Sequence, residues 1–163
     1  MKFKTWLIIN TFKTITILIV LAAISLTAKS QIAITYVPFQ SLLGISTNTD
    51  KRLWLDYKIE TNTFASNLNM ELSPKINFIR KENVNYYFGA GISFNPVYFS
   101  SDLSITNGYF LDFGARIKPF TKYRNIQILF ELSPYINNQF VSGNIRTRLG
   151  ISYNFSKKSG KNL

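Results

Sequence analysis

The feature that most constrains this chain is an alternation of apolar and polar residues that repeats along residues 31–155. From Ile145 to Phe155, the odd positions are mostly bulky and apolar, whereas the even positions hold Arg, Gly, Ser and Asn. A period of two is typical of a β-strand with two unlike faces. Six such segments are clear, and two shorter ones are predicted near residues 32–37 and 42–47, on either side of Pro38. The sequence therefore predicts an all-β fold of eight strands, with seven as the alternative.

The segments between the predicted strands alternate between short and long. Short, charged turns fall near residues 48–51, 80–83 and 121–124, and longer links, uncharged apart from Asp102, fall near residues 61–66, 95–107 and 137–143. This arrangement is typical of an antiparallel up-and-down meander with short turns at one end and longer loops at the other. We therefore expect the strands to form an up-and-down β-barrel.

The composition of the two faces indicates which one points outward. Asn, Ser and Gly with scattered charges make up most of one face, and Phe, Tyr, Leu and Ile crowd the other. An eight-stranded barrel has an interior just wide enough for side chains to fill, so we expect the bulky face outside, against lipid. The sequence thus predicts a transmembrane β-barrel over residues 31–155. The alternative is a soluble β-sandwich or barrel in which the same residues form the core. The aromatic residues near strand ends fit interfacial girdles: Tyr36, Phe78, Tyr86, Phe94, Tyr109, Tyr153 and Phe155.

The first thirty residues have the layout of a helical secretory signal peptide. Three lysines accompany an uncharged apolar run over residues 15–26, which is followed by Ala28-Lys29-Ser30. The run is shorter than the roughly 20 residues that a helix needs to cross a bilayer, and the small residues suit signal peptidase. We therefore expect cleavage after Ser30, with an uncleaved N-terminal anchor as the alternative. Residues 1–30 are assigned to the signal peptide, residues 31–155 to the barrel and residues 156–163 to a basic polar tail.

Three segments look like parts of known membrane barrels: residues 85–92 (NYYFGAGI), 108–136 and 148–155 (RLGISYNF). In these motifs and in its layout, the chain resembles the small outer-membrane β-barrel proteins abundant in Bacteroidota, and it is similar to the OmpA, OmpX and OmpW barrels. The chain departs from them where it continues beyond Phe155, because such barrels often end on an aromatic residue. We expect it in the cell outer membrane, as a monomer whose partners are outer-membrane lipid and, during biogenesis, the barrel-assembly machinery.

With the apolar face outward, the charged residues of the polar face point into the lumen. Charges in a narrow interior are tolerated only when they are paired, so the near balance of signs predicts an ion-pair network that plugs the barrel. Its predicted members are Asp56, Lys58, Glu60, Glu71, Lys75, Asp112, Arg116, Glu131, Arg146 and Arg148. The alternative is a narrow polar pathway for small anions, lined by the three arginines of this set.

The absence of His and Cys excludes several classes of function. It removes the usual zinc and haem ligands, Ser-His-Asp chemistry and disulfides, so we predict no enzyme, no catalytic residue, no metal and no cofactor. The basic residues lie in turns and the tail without an aromatic stacking platform, so we expect no nucleic-acid partner. A structural or adhesive role is predicted. The alternatives are a soluble periplasmic or secreted barrel that binds an apolar ligand, and a narrow channel for small solutes.

Overall fold

The computed structural model describes residues 32–61, 68–100 and 104–155, without the side chains of residues 99 and 100. The predicted signal peptide and the predicted C-terminal tail lie outside these described residues. Among the described residues, no helix is long and apolar enough to cross a membrane. The strands are β1 (Ala33–Val37), β2 (Leu42–Ser46), β3 (Leu53–Glu60), β4 (Met70–Arg80), β5 (Val84–Phe94), β6 (Thr106–Ile117), β7 (Ile126–Asn137) and β8 (Gly143–Asn154).

The eight strands form a closed antiparallel barrel in sequence order. Each strand pairs with the next, and β8 returns to pair with β1 from Ala33↔Asn154 to Tyr36↔Ile151. The predicted all-β, eight-stranded up-and-down barrel is confirmed, and the seven-stranded alternative is wrong. Pro38, which interrupts the alternation, begins a single 3-10 turn (Pro38–Gln40) that joins β1 to β2.

The apolar face of the strands points outward. In β8, for example, burial alternates so that Leu149 and Ile151 are exposed while Arg148 and Ser152 are buried. The outward residues include Ile34, Leu43, Ile45, Leu55, Ile76, Phe88, Ile92, Leu111, Phe113, Phe130, Leu132, Leu149 and Ile151. The exterior of the barrel wall is therefore covered by bulky apolar side chains.

The interior is polar but also holds several large rings. Trp54, Tyr87, Phe110 and Leu129 are buried inside, on the polar face of the alternation, so this inward face carries bulky side chains as well as charges. Inward glycines provide the space. A Cβ on Gly114 would collide with the ring of Tyr87.

Prolines interrupt two of the hydrogen-bonded ladders. The pairing of β4 with β5 breaks off between Leu72 and Lys75, on either side of Pro74. The pairing of β6 with β7 likewise breaks off between Leu132 and Tyr135, at Pro134. Proline has no backbone N–H to donate, so the ladder of hydrogen bonds breaks at each of these two prolines.

The two ends of the barrel differ. The turns β2–β3, β4–β5 and β6–β7 lie at one end, the short-turn end, together with the start of β1 and the end of β8. The other four connections lie at the opposite end, the long-loop end.

Candidate functional site

The centre of the lumen is a cluster of buried charges built around Glu131 on β7. Its carboxylate accepts hydrogen bonds from Lys58 Nζ at 2.6 Å, from Lys75 Nζ at 2.5 Å and from Arg148 Nη1 at 2.8 Å. The hydroxyl of Tyr87 donates a fourth, at 2.8 Å. Donors from four strands thus converge on one acid, because the inward positions of β3, β4, β5 and β8 meet β7 at the same height.

Two aspartates complete the central layer. Lys75 Nζ lies 2.7 Å from Asp56 Oδ2 and 3.0 Å from Asp112 Oδ2, so one ammonium group bridges both of them and Glu131. The hydroxyl of Ser46 donates to Asp56 at 2.7 Å, and Ser73 donates to Asp112 at 3.3 Å. Short inward hydroxyl groups therefore meet lone pairs that the lysines leave open.

Glu71 extends the network toward the long-loop end. Arg148 Nη2 contacts both of its carboxylate oxygens, at 2.7 and 2.9 Å, and Arg146 Nη1 contacts one at 2.7 Å. The guanidinium of Arg146 lies over the ring of Tyr135, with 4.6 Å between the guanidinium carbon and the ring centroid. Arg148 therefore links the Glu71 pair to the Glu131 cluster.

Arg116 lies apart from these ion pairs, closer to the short-turn end. It is fully buried, and its Nη1 donates to the hydroxyl groups of Ser152 at 2.8 Å and Thr35 at 3.3 Å. Its guanidinium carbon is 4.8 Å from the ring centroid of Trp54. Within the described part of the chain, no carboxylate lies within ion-pair distance of Arg116, and its Nε and Nη2 make no hydrogen bond.

The structure thus brings together eight of the ten predicted lumen residues. The eight are Asp56, Lys58, Glu71, Lys75, Asp112, Glu131, Arg146 and Arg148. Arg116 lies in the lumen but bonds to hydroxyl groups instead. Glu60, at the end of β3, is partly exposed and has no ion pair among the residues described.

Two groups of interior residues escape sequence reasoning that is based on charge. The hydroxyl group of Tyr87 donates to Glu131, and the ring centroid of Trp54 lies 5.3 Å from Lys75 Nζ. A polar layer near the short-turn end joins Asn77, Gln127 and Asn154 through Thr49. The inward glycines are the sequence signal for these large interior residues. A glycine on the inward face leaves space that a large neighbouring side chain can fill.

The charged layer is buried. Lys75 and Asp112 are 0% exposed, and Glu131 and Arg148 are at most 2% exposed. Ions of opposite sign in contact at low dielectric hold each other strongly, and removing one partner leaves a costly unpaired charge. Chemically, the arrangement is suited to holding opposite walls of the barrel together. In the described residues, no three side chains of the His, Cys, Asp or Glu types form a group that could hold a metal.

No protein-family model, no curated protein and no solved structure matches this chain.

Proposed function

We propose that this protein is a structural, non-conducting β-barrel of a bacterial outer membrane, of the type common in Bacteroidota. The observation that carries the proposal is the polarity of the barrel, which is apolar outside and charged inside. Soluble monomers rarely expose a contiguous apolar patch larger than a few hundred Å². An apolar exterior is stable when lipid covers it, and a closed barrel leaves no sheet edge in the hydrocarbon.

The structural role is favoured over a channel by the same interior. The carboxylates of Asp56, Asp112 and Glu131 are contacted by lysine or arginine, so the described residues of the lumen form no open row of like charges. A carrier of an apolar ligand would need an apolar interior, and the buried charges oppose that role. Outer-membrane lipid and the machinery that inserts barrels are the partners proposed with this function.

Fractionation of cells that express the full-length chain tests this proposal. The outer membrane, the periplasm and the medium are separated and probed through a tag in the C-terminal tail. We expect the protein in the outer membrane, resistant to a high-salt wash and released by detergent, with faster gel migration before boiling than after it. A protein recovered in the periplasm or medium without detergent would contradict the proposal.

A further inference from the structure

The charges on the outside of the barrel are collected at one end. The short turns carry exposed Lys51, Arg52, Arg80, Lys81 and Lys122. In the long-loop connections, the described residues include no Lys, Arg, Asp or Glu. One rim is therefore strongly basic, whereas at the other rim the described connections carry no charge and Glu60, at the end of β3, is a partly exposed acid.

The acids of the basic rim are already engaged. Asp50 forms an ion pair with Lys118 at 2.6 Å and accepts a hydrogen bond from Asn85. Glu82 forms an ion pair with Arg124. Among the described residues, the five exposed cations of the short turns contact no carboxylate, so their charge is available to an outside anion.

The rim cations lie next to exposed aromatic residues and an apolar groove. Phe120 and Tyr123 are more than half exposed and belong to the same turn as Lys122. A groove of about 500 Å³ begins at Phe120 and Ile126 and continues along the outer wall. Further lining residues are Ile128, Phe130, Leu149 and Ile151. A cation above an aromatic belt, with an apolar groove below it, matches the order of charge and hydrocarbon in a phospholipid.

We propose that the short-turn rim binds anionic phospholipid head groups, with an acyl chain in the groove along β7 and β8. This inference rests on the proposed membrane location and specifies the lipid class. The three short turns place cations on the strand pairs β2–β3, β4–β5 and β6–β7, so the binding surface follows the rim. It also orients the barrel, because this end lies at the leaflet that carries anionic phospholipid.

Lipid selectivity of the purified barrel tests the proposal. Native mass spectrometry in a non-ionic detergent measures binding of phosphatidylglycerol and of phosphatidylcholine with the same acyl chains. A lysine near an anionic lipid surface contributes about fivefold in affinity. The rim variant Lys51→Gln/Lys81→Gln/Lys122→Gln removes one lysine from each short turn. We expect the wild type to prefer phosphatidylglycerol and the rim variant to lose about tenfold or more of that preference.

The control variant lowers the net charge equally at the other end, through Gln139→Glu/Ser142→Glu/Asn144→Asp. These three positions are exposed. We expect this variant to keep the wild-type preference. Equal binding of both lipids by the wild type, or an equal loss in the control variant, would overturn the inference. Displacement of phosphatidylglycerol by duplex DNA at equal charge concentration would overturn it in favour of a general polyanion surface.

Insertion into vesicles of pure phosphatidylcholine separates this inference from the proposed function. Insertion there without any lipid preference in micelles would overturn the inference alone. Selective binding of phosphatidylglycerol in micelles, with no insertion into vesicles, would support lipid binding by the short-turn rim and contradict the proposed membrane location.

Discussion

Glu131 shows how a single residue holds the interior together, since its carboxylate accepts hydrogen bonds from Lys58, Lys75, Tyr87 and Arg148. The change Glu131→Gln removes the negative charge and leaves the three cations in place. We expect the free energy of unfolding to fall by about 3–5 kcal/mol, as when one partner of a buried pair is lost. Urea unfolding in detergent micelles measures this loss.

The matched control for Glu131 is Glu82→Gln. Glu82 pairs with Arg124 in an exposed turn, where ion pairs contribute about 0–1 kcal/mol. The contribution of the buried network would be refuted if both variants unfolded at the same urea concentration.

The variant Gly114→Ala tests whether the inward glycines provide space for the large interior side chains. A Cβ there would collide with the ring of Tyr87 and with the carbonyl oxygen of Phe130. We expect Gly114→Ala to lower the free energy of unfolding by about 1–3 kcal/mol, because the ring must move from its hydrogen bond with Glu131. In Gly44→Ala, the new Cβ would be 3.4 Å from the nearest atom, on Thr35, so the loss there is expected to be smaller. Equal losses in the same unfolding assay would contradict this explanation.

At the scale of single residues, the alternation predicts which side chains point inward but not which of them meet. Lys75 and Glu131 both lie on the polar face in the sequence pattern. Their contact depends on the stagger between β4 and β7, which are not neighbours in the sheet. Closure of the barrel fixes that stagger, and no local pattern encodes it.

At the scale of elements, the strands differ in how much pairing protects them. β1 and β2 pair over five residues, whereas β5 and β6 pair from Val84↔Ile117 to Phe94↔Thr106. Local opening costs less where fewer hydrogen bonds must break. We expect the amides of β1 and β2 to exchange with deuterium before those of β5 and β6, measured by NMR in micelles. Earlier exchange of the β5–β6 amides would contradict this order.

The bounds of most strands follow from the sequence, because the alternation of apolar and polar residues covers nearly the same residues as the strand pairing. The start of β6 is an exception, because pairing extends to Thr106, ahead of the clear alternation from Tyr109. At the register shift between Ser93 and Phe94, β6 contains one extra residue, which changes the face to which its side chains point. A bulge of this kind is invisible to a strict period of two.

At the scale of the whole molecule, the buried charge layer predicts a closed lumen. We expect no single-channel openings when the purified barrel is inserted into a planar lipid bilayer, because the central cations and acids fill the cross-section. Regular stepwise conductance that persists at the same amplitude between preparations would contradict the plug and favour the channel.

Whether lipid or water surrounds the outward face tests the transmembrane barrel most directly. The chain contains no cysteine, so single cysteines can carry a nitroxide spin label without background. Leu132→Cys places the label on the outward face of β7, and Ser142→Cys places it in a loop. In reconstituted vesicles, we expect lipid-dissolved oxygen to relax the label at position 132 and a water-soluble nickel chelate to relax the label at position 142. A label at position 132 that the nickel chelate relaxes more strongly than oxygen would contradict the transmembrane barrel.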